Sequence, residues 1–109
     1  MKRSTHNLKA VFIRRGGVFT GFEVSGHAGY GEAGNDIVCS AVSSAVMLVC
    51  NTVTDFFGAA ADVTVEENCV TLRLKCADRP SEMLLDSFFT HMKDISEHYP
   101  GVKVEIREA

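Results

Sequence analysis

The chain has no tryptophan and only two prolines in 109 residues, and it carries no basic excess. The prolines stand at 80 and 100, so no proline-rich linker divides the sequence. No internal repeat or low-complexity run appears, which argues against a solenoid or a disordered segment. The net charge is −3 and the basic residues are scattered, so no direct nucleic-acid footprint is expected. A weak preference for a basic polypeptide partner is all that such a charge suggests. The four cysteines lack C-x-x-C spacing, which argues against a zinc site, and no metal is expected. The start, MKRSTHN, has no apolar stretch behind it and does not read as a signal peptide. The longest apolar-rich run, 37–50, is about 14 residues and interrupted by serines, which reads as too short for a membrane span. These features predict a cytoplasmic protein, in a compartment where thiols stay reduced.

What is present is a hydrophobic share of 46%, enough for one domain over residues 1–109 to bury its own core. The stretch 8–14, LKAVFIR, reads as a strand closed by Gly16-Gly17 onto a second strand, VFTGFEVS. Alternation there puts Val18, Thr20, Phe22 and Val24 on one face. A helix of about 22 residues follows, starting with Asn35 or Asp36 as cap and stopped by Gly58. It is apolar around most of its circumference, which predicts burial from more than one direction. A further hairpin comes next, with Val63 and Val65 inward and Val70, Leu72 and Leu74 alternating after a Glu67-Asn68 turn. Asp78-Arg79-Pro80 opens a second helix with a stripe of Leu84, Phe88, Met92, Ile95 and Tyr99. Residues 102–107 close the chain as a strand.

The order is therefore ββαββαβ. It predicts an α+β, two-layer fold with a small mixed, mostly antiparallel sheet and two helices. Coverage of the first helix by a partner subunit makes a homodimer a reasonable expectation.

The chemistry centres on the junction of 25–58, SGHAGYGEAGNDIVCSAVSSAVMLVCNTVTDFFG. Cys39 falls in the first helical turns, where unsatisfied N–H groups and the helix dipole favour thiolate over thiol. A buried structural cysteine is the alternative and is equally favoured by position alone. Three of the cysteines, Cys50, Cys69 and Cys76, read as small core hydrophobes, and no disulfide is expected. His27 stands at the start of a glycine-rich loop returning to that helix end, within plausible reach of the thiol as a Cys–His pair. A surface histidine is the bland alternative, and it serves for His6, His91 and His98.

Asp36 could orient the imidazole or cap the helix. Ser43, one turn beyond Cys39, could line a pocket or bond back to the backbone. Gly26, Gly29, Gly31 and Gly34 give the loop unusual backbone freedom. The literal G-x-G-x-x-G at Gly29, Gly31 and Gly34 is not read as a dinucleotide site, since Asp36 sits where a pyrophosphate would dock and the residues about 20 further on are still in the helix, so no second strand supplies a ribose-binding carboxylate. No cofactor is expected.

Gly26-His27-Ala28, a glycine-rich gap and then Asp36-Ile37-Val38-Cys39-Ser40-Ala41-Val42-Ser43 together resemble the signature of the ribosomal-processing cysteine protease family, Prp or YsxB-like. The Tyr99-Pro100 segment before the last strand is similar too. The resemblance implies removal of an N-terminal extension from a bacterial large-subunit ribosomal protein. It implies Cys39 as nucleophile, His27 as general base, and Asp36 and Ser43 as supporting positions. A small α/β homodimer with a flexible loop over the site, taking a ribosomal-protein N-terminal peptide as substrate, is the implied form. The competing class is a non-catalytic, ribosome-associated module that grips a peptide or an anion.

Overall fold

Two hairpins and one parallel return strand build the sheet in the computed structural model, which describes residues 8–26 and 36–109, Asp36 by its backbone alone. The elements are β1 (Leu8–Arg15), β2 (Val18–Ser25), α1 (Asp36–Asn51) continued by a π-helical turn (Thr52–Phe56), β3 (Ala61–Val65), β4 (Cys69–Leu74), α2 (Arg79–His98) and β5 (Val102–Glu108). The sheet order is β3-β4-β2-β1-β5. Among the described residues only the β1–β5 pair is parallel. This is the ββαββαβ, mostly antiparallel α+β arrangement that the sequence pattern predicts.

Both helices contribute to a single core that lines one face of the sheet. Beneath α2 the packing is aromatic. Phe12 meets Phe88 and Phe89 edge-on, at 5.4 and 5.2 Å between ring centroids, and Phe22 meets Phe88 at 5.1 Å. Such edge-to-face pairs add to what area burial provides. Beneath α1 the packing is aliphatic, through Val42, Val46, Val49, Cys50 and Val53.

The other sheet face is an ion-pair lattice. Glu23 lies between Arg107 at 3.4 Å and Arg73 at 3.8 Å, and Lys9 pairs with Glu105 at 3.6 Å. Val11 and Ile13 are nonetheless buried there, as expected where the aliphatic stems of charged neighbours cover apolar residues.

Five expectations from the sequence need correction. First, β2 carries a bulge: Ile13 pairs with Gly21 but Arg14 pairs with Phe19, leaving Thr20 extra. The bulge inverts the alternation, so Phe19 is buried while Val18 and Thr20 are only half-buried. Gly21 beside it is required for space, because a Cβ there would lie 2.3 Å from the Leu72 carbonyl oxygen.

Second, the buried stripe of α2 is Ser81, Leu85, Phe88 and Met92. Phe88 and Met92 are inward as expected, but the first turns face the core through Ser81 and Leu85, so Leu84 is only half-buried, and Tyr99 is exposed because it stands beyond the end of the helix.

Third, Val65 at the end of edge strand β3 is exposed rather than inward. Fourth, Cys76 lies beyond the end of β4 and is exposed, not a core residue.

Fifth, α1 is not buried all round. Ile37, Leu48 and Phe56 are 70, 67 and 83% exposed, because a two-layer fold covers a helix on one side only. The π-helical turn extends its ridge. The hydroxyls of Thr52 and Thr54 donate back to the Leu48 and Cys50 carbonyls, and Phe57 N–H reaches the Thr52 carbonyl at 2.8 Å. Ile37–Phe56 thereby reaches 20 residues, long and apolar enough to cross a membrane by length and composition alone, contrary to the shorter run read from the sequence. Its inner face belongs to the common core.

Candidate active site

The end of β2 and the start of α1 bracket the candidate site. Gly26 takes φ +83°, a left-handed conformation that glycine adopts without steric cost. Its N–H donates to the Asn68 carbonyl at 3.0 Å, tying the end of β2 to the β3–β4 turn. At its other end α1 runs through the π-helical turn to Gly58, next to Ala61, which pairs with Leu74. The first turn of α1 therefore points towards the end of the sheet marked by Ser25, Gly26 and Cys69.

Cys39 is the fourth residue of α1 and is buried, 7% exposed. Its neighbours on the buried side are Val42 and Val46, while Ile37, Ser40 and Ala41 face outward. The thiol thus stands at the rim of the core on the helix's N-terminal turn, where backbone N–H groups lack intrahelical acceptors. Ser43, one turn deeper, is half-buried. The backbone of Asp36 is the first helical residue of α1. His27, Gly29, Gly31 and Gly34, and the side chain of Asp36, lie outside the described residues. Of the expected site residues the structure thus describes Gly26 past the end of β2, and Cys39 and Ser43 one turn apart on α1.

The remaining cysteines have different surroundings. No disulfide joins the four. Burial pushes the Cys50 thiol up from 9.0 to about 11. Cys69 is also raised, by burial first and then by the Glu23 and Glu66 carboxylates. Among the described residues no group of three His, Cys, Asp or Glu side chains is arranged to hold a metal. A cleft of about 570 Å³ opens at the opposite end of the sheet, lined by Arg15, Val18, Arg73, Lys75 and Cys76 among others. It is remote from Cys39.

One feature escaped the sequence pattern: among the described residues the outer edge of β3, ending at exposed Val65, pairs with no other strand. Its signal was the single charge in ADVTV, against four in the last strand, VKVEIRE.

Comparison with known proteins points to one family. No curated protein is significantly similar to this chain. Among crystal structures, SMU.848 from Streptococcus mutans is 28% identical, covers 95% of this chain and 97% of its own, and superposes with a TM-score of 0.87. The essential ribosomal processing protease Prp from S. aureus has been solved with a substrate peptide (18% identity, 94% of this chain, 99% of that one, TM-score 0.77). It has also been solved with a covalently linked product peptide (19%, 92% and 99%, TM-score 0.80). Those two likenesses establish the fold. The profile of the family described as cysteine protease Prp matches residues 8–103, and the chain belongs to that family.

Proposed function

We infer that this enzyme is a cysteine endopeptidase that removes the N-terminal extension of a bacterial large-subunit ribosomal protein in the cytoplasm. The observation that carries the reading is the placement of Cys39: a thiol on the N-terminal turn of the core helix, at the core's rim. There the helix dipole and orphan N–H groups favour an anion, and a thiolate is the nucleophilic form of cysteine.

In the proposed reaction His27 takes the Cys39 proton. The Sγ atom then attacks the scissile carbonyl carbon to give a tetrahedral oxyanion, which backbone N–H groups of the first helical turn stabilise. Collapse breaks the C–N bond, and the imidazolium gives its proton to the leaving amine. Water, deprotonated by the same imidazole, attacks the thioester, releasing the extension with a new C-terminal carboxylate and restoring the thiol. A covalently linked product peptide, as in the S. aureus relative, is the kind of species such a route passes through. Asp36 supports the histidine from the first helical position, Ser43 lines the pocket one turn below, and the turn at Gly26 launches the loop that holds His27.

The working unit in this reading is a homodimer formed on the exposed ridge of α1. Ile37, Leu48 and Phe56 leave large apolar side chains open along it, the kind of surface on which protein–protein contacts form. A shallow apolar hollow bordered by Phe57, Pro80, Met83 and Leu84 extends it at the helix's far end.

The test is incubation with a panel of N-terminally extended ribosomal-protein peptides, with fragments identified by mass. Wild type should cut one class at a single bond. Cys39→Ala and His27→Ala should each lose at least about 10³-fold in kcat/KM, and the double variant should be no worse than either. Cleavage retained in Cys39→Ala would end the reading, and tight binding without any cleavage by wild type would favour a peptide-binding module.

A further inference from the structure

The two outer edges of the sheet are protected differently. The β5 edge carries Lys103, Glu105, Arg107 and Glu108, and three of these are paired with Lys9, Glu23 and Arg14. The β3 edge has one charge, Asp62, held by Lys75 at 3.5 Å. It lacks the lysine, proline or bulge with which free edges are usually blunted.

The register decides which backbone groups are open. Glu66 and Cys69 exchange hydrogen bonds across the Glu67-Asn68 turn, and Lys75 N–H donates to the Ala60 carbonyl at 2.8 Å. Bonded and non-bonded pairs alternate along an antiparallel ladder. Asp62 and Thr64, opposite Arg73 and Thr71, therefore turn their N–H and C=O groups to β4. Ala61, Val63 and Val65 turn theirs outward. Val63 and Val65 thus present donors and acceptors two residues apart, a spacing of about 6.8 Å that matches alternate residues of an extended peptide. Val65 is 62% exposed beside them.

This edge also leads to the reactive end of the molecule. Val65 pairs with Val70, adjacent to the Ser25–Cys69 pair and the Gly26–Asn68 hydrogen bond. That is where β2 departs for His27 and where the first turn of α1 points.

The geometry points to the outer edge of β3 as the docking strand for the substrate. An extended segment of the ribosomal-protein peptide adds there as a sixth strand, bonded through its main chain to Val63 and Val65, and so directs its scissile bond towards Cys39. The inference rests on the protease reading above. It specifies a substrate segment without proline over the paired residues, and main-chain recognition tolerant of side-chain changes at alternate positions.

The experiment uses a synthetic peptide spanning the junction of an N-terminally extended large-subunit ribosomal protein. Val65→Pro removes one outward N–H and leaves the β4 ladder intact, because that N–H serves no internal bond. It should raise KM about tenfold with kcat nearly unchanged. N-methylation of alternate peptide amides should reproduce that loss with a period of two. In Cys39→Ala protein, the amides of Val63 and Val65 should exchange rapidly alone and become protected by the peptide.

An unchanged KM in a folded Val65→Pro protein overturns the docking strand. So does cleavage of the peptide with no new protection at these amides, which leaves the protease reading standing. Protection without any cleavage by wild type keeps the strand and removes the protease. Amides already protected in the peptide-free protein and opened by dilution would assign the edge to a second copy of this chain, which also overturns the inference.

Discussion

The two helices lie on the same sheet face and solve opposite problems. α2 is finished for water. Asp78 caps it by accepting from the Ser81 N–H at 3.1 Å, Glu82 reaches back to the Asp78 N–H at 3.1 Å, and its outer side is polar. α1 has no basic residue in its last turn, runs into a π-helical turn, and leaves Ile37, Leu48 and Phe56 in the open. α2 is thus built as a structural buttress, and α1 as a helix with two employments: one face in the core and the other available to a partner, with Cys39 at its leading end.

Mutations should separate those roles. The largest expected effect is on the buttress. Phe88→Ala removes the ring that meets both Phe12 and Phe22 and should cost about 3–5 kcal/mol in chemical denaturation. A loss below about 1 kcal/mol would mean that the aromatic layer does not hold α2 in place.

The inner face of α1 should show itself through pH. The Cys50 thiol titrates near 9.0 when unfolded and near 11 when folded, so above pH 9 the unfolded chain binds fewer protons than the native one. Stability from this group is complete below pH 9 and declines as pH rises towards 11, by on the order of 3 kcal/mol. Cys50→Ala should flatten that alkaline slope in denaturation curves taken from pH 8 to 11.

Removing the cap of α2 is expected to be milder. Asp78→Ala also strips the fully buried Ser81 hydroxyl of its acceptor and should cost about 1–2 kcal/mol, seen as a lowered Tm, with Asp78→Asn recovering part of it. The smallest folding effect belongs to the outer face of α1. Leu48→Glu should alter unfolding of the monomer by less than about 0.5 kcal/mol, yet raise the dissociation constant of the proposed dimer at least about tenfold in sedimentation. Equal stability losses at Leu48 and Phe88 would erase the distinction between the two helices.

Reactivity of the thiols refines the same comparison. The sequence groups Cys76 with the buried cysteines, but its exposure past the end of β4 gives alkylating reagents access to it. Iodoacetamide should therefore label Cys76 ahead of Cys50 whatever Cys39 does, and a mapping experiment that aims at Cys39 is best run in a Cys76→Ala background.

By itself the sequence determined the order and type of the five strands and two α-helices, the hairpin turns, the limits of α2 and the family, but not the π-helical turn that ends α1. These are written in local terms: glycine pairs, a capping aspartate, alternation of period two, and a histidine and a cysteine twelve residues apart. Of the candidate site, Cys39 and Ser43 could be named from sequence and share the start of α1, while the relation of His27 to the thiol lies outside the described residues. Tertiary structure alone decided the inner side of β2, the first buried turns of α2 and the open side of α1. The bulge at Thr20 inverts one strand's alternation, because a single extra residue shifts a period of two by half. The outer side of α1 looks like core in sequence because apolarity reports that a surface avoids water, and not whether this chain or another covers it. The open edge of β3 follows from its place at the margin of the sheet, which depends on pairings between residues far apart in the chain.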